Sequence, residues 1–217
     1  MSYNPTGLDS TAKCRFSNGF CEEYDVDFLS IQEHFKFIST TDQFFKKKFP
    51  DYYSYVIRGH RSPGQDTGRA KAGLAQLTRK SLQVKKDRVE TGGYRVQAQI
   101  LNLPSSRILW LNTYLPPDPQ NKGQYDDAVL REVLEEIESI LTNSSYDDVV
   151  WGSDLNWDTA RNTYFARTMT SFVERLGVVP LWSDHPVPYT LMARVNLLLT
   201  ISLSHLVCYP WWLTVVW

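Results

Sequence analysis

The chain has 217 residues, of which 42% are apolar, 22% charged and 13% aromatic. That composition excludes collagen-like, coiled-coil and disordered classes and fits one larger domain or two small ones. Net charge is −1 but segregated: Lys46 to Arg95 carries 13 Lys and Arg against 4 Asp and Glu, while Tyr125 to Ala160 carries 10 Asp and Glu against one Arg. A basic stretch with an acidic one suits a protein that holds an anionic polymer and a cation, and equally suits two solvated faces.

Cys14, Cys21 and Cys208 form no CxxC pair and no even framework, which argues against a secreted disulfide scaffold. Ser2 to Lys13 is polar and holds Pro5 and Gly7, unlike a signal peptide, so an intracellular, reducing compartment is expected.

In chain order, Val26–Gln32 reads as a buried strand, and Lys46–Lys48 after Phe44-Phe45 as a solvated helix end. Arg61–Gly68 reads as a loop. Tyr94, Val96, Ala98 and Ile100 alternate with Arg95, Gln97 and Gln99, which predicts a half-buried antiparallel strand. Asn102–Ser106 connects it to a second strand, Arg107–Tyr114, which Pro116, Pro117 and Pro119 end because proline cannot donate to a ladder.

Asp126–Leu141 is the clearest helix, with Val129, Leu130, Val133, Leu134, Ile137, Ile140 and Leu141 on one stripe and two aspartates in its first turn. Asp148–Trp151 reads as a strand leading into Gly152-Ser-Asp-Leu-Asn156. A further helix is expected over Asn162–Leu176, with Phe165, Met169, Phe172, Val173 and Leu176 inward. Interleaved strands and helices indicate a mixed α/β domain with helices covering sheet.

From Val195 to Trp217 there is no charged side chain. The stretch is long enough to span a bilayer, but Asn196, Thr200, Ser202, Ser204, His205 and Pro210 oppose that use, so a membrane role is not expected.

Three segments place polar groups after apolar strands: Ser2-Tyr-Asn4-Pro-Thr-Gly7-Leu8, Phe28-Leu-Ser-Ile-Gln32-Glu33-His34 and Trp151-Gly-Ser-Asp154-Leu-Asn156. Each alone is weak, since such residues are common in turns. With Asn112-Thr-Tyr114-Leu-Pro116 between the second and third, their order resembles the endonuclease/exonuclease/phosphatase superfamily. It is most similar to the N-terminal endonuclease domain of non-LTR retrotransposons, which is apurinic-endonuclease-like. Gly68-Arg-Ala-Lys-Ala-Gly-Leu-Ala75 resembles the retroelement form of a Gly-Arg-x-x-Gly-Gly segment, with Ala72 in place of a glycine. Tyr189-Thr190 resembles the element before the family's last strand.

The resemblance covers residues 1–194 and implies a two-sheet α/β sandwich with helices on its outer faces. It implies a Mg²⁺- or Mn²⁺-dependent endonuclease that nicks DNA, needs no small-molecule cofactor, works in the nucleus and was once fused to a reverse transcriptase. Glu33 and the Asn4 amide oxygen would hold the metal, because hard cations take oxygen ligands. Asp154 would orient or deprotonate water, Asn156 would fix Asp154 or donate to phosphate, and Tyr114 would donate to a phosphate oxygen. Thr190 would support them from behind. Arg58, Arg61, Arg69 and Lys71 would neutralise phosphates, as would Arg79 and Lys80.

The family closes its site with Asp-His, and here the nearest candidate is Ser204-His205, whose neutral serine cannot stabilise an imidazolium. His185 follows Ser183-Asp184 but precedes Thr190, out of order for that motif. One coding of Leu199-Thr-Ile-Ser202 yields Asp-His-Phe in a shifted frame. Residues 195–217 are therefore read as a foreign or frame-shifted tail, with the native final strands lost. Two other functions are compatible with this pattern: a catalytically dead DNA-binding relic, and a phosphoesterase acting on lipid or inositol phosphates.

Overall fold

A computed structural model describes residues 1–8, 11–37, 39–61, 70–117, 127–157, 162–177, 179–181 and 197–201. Two sheets lie face to face. The first contains β1 (Ser2–Tyr3), β2 (Phe28–Ile31), β3 (Tyr52–Ile57) and β4 (Leu74–Arg79), in the order β1-β2-β4-β3. The second contains β5 (Lys85–Val89), β6 (Val96–Asn102), β7 (Arg107–Tyr114), β8 (Asp148–Asp154), β9 (Val179–Leu181) and β10 (Leu197–Ile201), in the order β5-β6-β7-β8-β10-β9. The β10 strand begins within the apolar tail and pairs antiparallel with β8.

Helices α1 (Thr11–Glu23) and α2 (Thr41–Lys48) pack on the first sheet, around Leu29, Ile31, Ala75 and Leu77. Helices α3 (Asp127–Asn143) and α4 (Tyr164–Leu176) pack on the second, around Leu109, Leu111, Val149 and Trp151. The result is the expected α/β sandwich with helices outside. Among the described residues no helix is long and apolar enough to cross a membrane.

The α4 boundaries follow from local chemistry. Thr163 Oγ1 accepts the Ala166 N–H at 3.0 Å and caps the first turn, while Gly177 at φ +64° ends the last turn in the left-handed conformation. Phe165, Met169, Phe172 and Val173 are all buried, each contributing about 1.5–3 kcal/mol of transfer free energy. Lys46–Lys48 do form a helix end, with Phe45 buried beneath.

The alternating strand departs from expectation. Val96, Ala98 and Ile100 face the helices as the period requires, but Gln97 and Gln99 are buried too, at 0% and 3% exposure. Their face meets the other sheet instead of water. Gln99 Nε2 donates to Gln76 Oε1 at 2.9 Å, and Gln97 Nε2 to the Tyr55 carbonyl at 2.8 Å. The middle of the space between the sheets is therefore a polar seam of mutually bonded amides, with an apolar cluster of Phe28, Leu101, Ile108 and Trp110 at the far end.

Candidate active site

Strand direction brings the candidate side chains to one end of that seam. β1 runs parallel to β2, so Asn4 and Glu33 leave the first sheet side by side. β7 runs parallel to β8 with Tyr114 opposite Asp154, so these two leave the second sheet together. Parity then aims them: Trp110, Asn112 and Tyr114 share the inner face of β7, as Gly152 and Asp154 share that of β8. Gly152 is required there, since a Cβ would lie 2.6 Å from Ser30 Oγ.

Asn4 joins the two halves. Its Nδ2 donates to Glu33 Oε2 at 2.8 Å and to Asp154 Oδ2 at 2.5 Å, while its Oδ1 accepts the Thr6 N–H at 2.7 Å. Glu33 and Asp154 are 7% and 1% exposed, so two carboxylates leave water and meet across a single amide. The nitrogen of Asn4, not the expected oxygen, faces them. Asn156 sits two residues beyond Asp154: its N–H reaches Asp154 Oδ1 at 3.4 Å and its Nδ2 donates to the Leu115 carbonyl at 2.8 Å. Asn156 thus fixes the carboxylate through the backbone.

The Tyr114 hydroxyl completes the cluster by hydrogen bonding to Glu33. Burial, then that bond and the Glu33 charge, push its pKa far above the ordinary phenol range, and Arg95 only partly opposes this. Tyr114 is therefore a permanent donor. The Arg95 guanidinium lies 5.2 Å from the Tyr114 ring centroid and donates to the Tyr114 carbonyl at 3.3 Å. Alternation alone marked Arg95 as an ordinary outward cation; no signal in the sequence singled it out.

The surrounding loops carry strain. Thr6, Glu33, Phe35, Ala72 and Asn156 have φ between +49° and +55°, a conformation that costs non-glycine residues about 1–3 kcal/mol. Hydrogen bonds hold them there: Gly7 N to Glu33 O at 2.7 Å, His34 N to Gly73 O at 3.3 Å and Phe35 N to Ala72 O at 3.1 Å. Ala72 occupies the position where the resembled segment has glycine. Gly73, at φ +97°, lies so close to His34 that a Cβ would come within 2.6 Å of its ring. His34 itself is structural and wholly buried. Its Nε2 donates to Ile57 O at 3.1 Å and its Nδ1 accepts the Lys36 N–H at 2.9 Å. Burial lowers its pKa to about 4.

The structure thus gathers Asn4, Glu33, Tyr114, Asp154 and Asn156 at one sheet end. Arg58 and Lys71 are exposed near that end, and Arg61 places its guanidinium 4.8 Å from the Phe37 ring centroid. Arg79 lies at the far end of β4, bonded to Asp25 and to Asp27 at 3.5 Å, and is no part of the site. Arg69, His185, Thr190 and His205 fall outside the described residues.

The donor set bears on a metal. Among the described residues no group of three or more His, Cys, Asp and Glu side chains could hold an ion. Mg²⁺ needs fewer, binding through one or two carboxylates and keeping its waters. Glu33 and Asp154 bring two carboxylates, the oxygen ligands a hard cation takes, to one place, so the pair fits such a divalent cation.

No protein-family model matches the sequence, and no curated protein sequence does. Solved structures do match. The AP endonuclease LMAP of Leishmania major superposes with a TM-score of 0.63 at 18% identity, covering 93% of this chain and 78% of that one. The endonuclease domain of TRAS1, a telomere-specific non-LTR retrotransposon, gives 0.59 at 13% identity over 91% and 82%. An endonuclease/exonuclease/phosphatase family protein of Leptotrichia buccalis gives 0.57 at 13% identity over 92% and 86%. The chain has the endonuclease/exonuclease/phosphatase fold. Within that fold, the Asn4–Glu33–Tyr114–Asp154 cluster sits where two parallel strand pairs end.

Proposed function

We propose that the chain is a divalent-cation-dependent phosphodiesterase that nicks DNA, of retrotransposon origin. The observation that carries this reading is the meeting of Glu33 and Asp154, 121 positions apart, on the Asn4 amide beside the Tyr114 hydroxyl. Glu33, with Asp154 beside it, would hold Mg²⁺ or Mn²⁺, and the bound ion would neutralise charge developing on phosphate oxygens. Asp154 orients a water and accepts its proton. Tyr114, protonated at any working pH, donates to a phosphate oxygen. Asn4 and Asn156 set the carboxylate orientations, and Arg58, Arg61 and Lys71 neutralise flanking phosphates.

Two further features support DNA and a retroelement source: the similarity to the TRAS1 domain, and the Gly68–Ala75 segment. A former fusion to a reverse transcriptase and a nuclear site of action belong to the same reading.

Nicking of supercoiled plasmid tests it. Relaxation with Mg²⁺ or Mn²⁺ but not with EDTA is expected, abolished by Glu33→Gln and Asp154→Asn. Tyr114→Phe should slow it about 10²-fold, the usual cost of losing one transition-state donor. His205→Ala asks whether the tail supplies a phosphate donor. Plasmid retention with no nicking under either metal would refute hydrolysis and leave a DNA-binding relic. Turnover of inositol phosphates without nicking would instead identify a lipid or inositol phosphoesterase.

A further inference from the structure

Away from the carboxylates, the seam between the sheets opens along one flank, where the edge strands β3 and β5 face each other. Two concavities of about 510 and 550 Å³ run along it and share Tyr55 and Arg88. Strand parity decides what they present. Val89 packs inward against the α3–α4 core, so Lys86 and Arg88 project from the opposite face of β5 into the groove. Tyr53 and Tyr55 project from β3 in the same way.

Cations and rings are interleaved. Lys86 Nζ lies 4.4 Å from the Tyr53 ring centroid, Lys80 Nζ lies 5.8 Å from it, and the Arg88 guanidinium lies 4.4 Å from the Tyr55 ring. The floor is formed by amides, Gln76 bonded to Gln99 at 2.9 Å. Among the described lining residues Glu90 is the sole acidic group, at the end toward Gly93. Asp87 lies on the other face of β5, 3.8 Å from Lys85 and hydrogen-bonded to Asn102.

Lysines alone protect a sheet edge from unwanted pairing. That need does not explain two tyrosine rings, one of them 53% exposed, set between the cations. Rings that accept bases and cations that accept phosphates are what an unpaired nucleic-acid strand requires. Paired bases offer no free face to Tyr53, and an acidic peptide would engage the cations but not the rings. The groove also leads somewhere: past Ile57 and Gly93 it reaches Tyr94, whose ring stacks on His60 at 4.7 Å, and Arg95, which lies over Tyr114.

We propose that the β3–β5 seam is a track for single-stranded nucleic acid, with bases on Tyr53 and Tyr55 and phosphates on Lys80, Lys86 and Arg88. The track goes beyond the phosphodiesterase reading and stands without it, because none of its contacts uses a carboxylate of the site.

The test is fluorescence anisotropy of labelled (dT)₁₅ in EDTA across a salt series, with the full chain. The double variant Lys86→Gln/Arg88→Gln should bind at least tenfold more weakly at 0.1 M salt. Its slope of log K against log salt should fall by about 1.4, the share of two phosphate contacts on a single strand. Tyr53→Ala should also lose about tenfold, Tyr53→Phe should bind like the parent, and the exposure of this ring keeps either change from unfolding the sheet. Glu33→Gln should bind normally even where it abolishes nicking, which separates this inference from the fate of the hydrolase reading. Unchanged affinity and slope in the double variant would overturn it. So would displacement of (dT)₁₅ by polyglutamate or duplex as effectively as by unlabelled (dT)₁₅.

Discussion

Replacing Asn4 probes the site without any assay of catalysis. Its Nδ2 serves two carboxylates, at 2.8 and 2.5 Å, on residues only 7% and 1% exposed. Hydrogen bonds to charged groups are worth about 1.5–3 kcal/mol each. Asn4→Ala removes both and leaves two buried carboxylates without the amide that joins them. A net destabilisation of about 3–5 kcal/mol follows, or about 10–15 °C in melting temperature for a chain of this size.

Asn4→Asp should cost a similar amount at pH 7 but respond differently to acid. The new carboxyl stands against two others, so its folded-state pKa is raised and the folded form binds the extra proton more readily than the unfolded one. The deficit therefore shrinks as pH falls through that raised value, and Mg²⁺ should shrink it at pH 7. Thermal and urea unfolding between pH 5 and 8, with EDTA or Mg²⁺, measure both. An Asn4→Ala protein that melts within 2 °C of its parent, or an Asn4→Asp deficit that ignores both pH and Mg²⁺, would refute the arrangement.

Gly152→Ala should cost about 1–3 kcal/mol in urea unfolding, because the new methyl would stand 2.6 Å from Ser30 Oγ and 2.9 Å from Ser30 Cβ. Pairing it with Ser30→Gly should cost less than the two single changes summed; strict additivity would mean that the sheets do not touch there. His34, with its pKa lowered by burial to about 4, binds a proton in the unfolded chain before it does so in the folded one. Its contribution is complete above the unfolded value near 6.5 and is lost as pH falls toward 4, at most about 3 kcal/mol. In His34→Gln the stability profile over that window should flatten by one proton, and an unchanged slope would show that His34 is not held neutral.

Where an element carried its own period, it was legible. β7 spans the residues its apolar run and following prolines define, and α3 and α4 begin and end within two residues of the stripe limits. Helix α1 carried no such mark, because it buries Cys14, Ser17 and Cys21, side chains too small or polar to draw a stripe. The seam was misread for a related reason. Alternation shows which positions share a face, but nothing in Gln97 or Gln99 tells whether that face meets water or a second polar sheet. Asn4, Glu33, Tyr114 and Asp154 were legible only as an ordered set, since each alone is an ordinary loop residue. Arg95 was hidden because its partner Tyr114 lies 19 positions away and belongs to the next strand.

The polar character of the seam bears directly on the site, because Asn4 and Glu33 come from one sheet and Tyr114 and Asp154 from the other. Two apolar faces can slide or rotate by fractions of a residue at little cost, since the attraction between them has no direction. Hydrogen bonds do not permit this. Asn112 Nδ2 donates to Ile31 O at 3.2 Å, Ala75 O at 3.1 Å and Gln97 Oε1 at 3.0 Å, while its Oδ1 accepts from Gln32 Nε2 at 2.8 Å. Gln32 is the neighbour of Glu33, and Asn112 lies two residues before Tyr114 on the same face of β7. A shift between the sheets large enough to part the carboxylates from the amide would strand several buried donors, each at about 1–3 kcal/mol. The feature that disguised the inner strands as half-exposed is thus the one that holds the site's two halves in register.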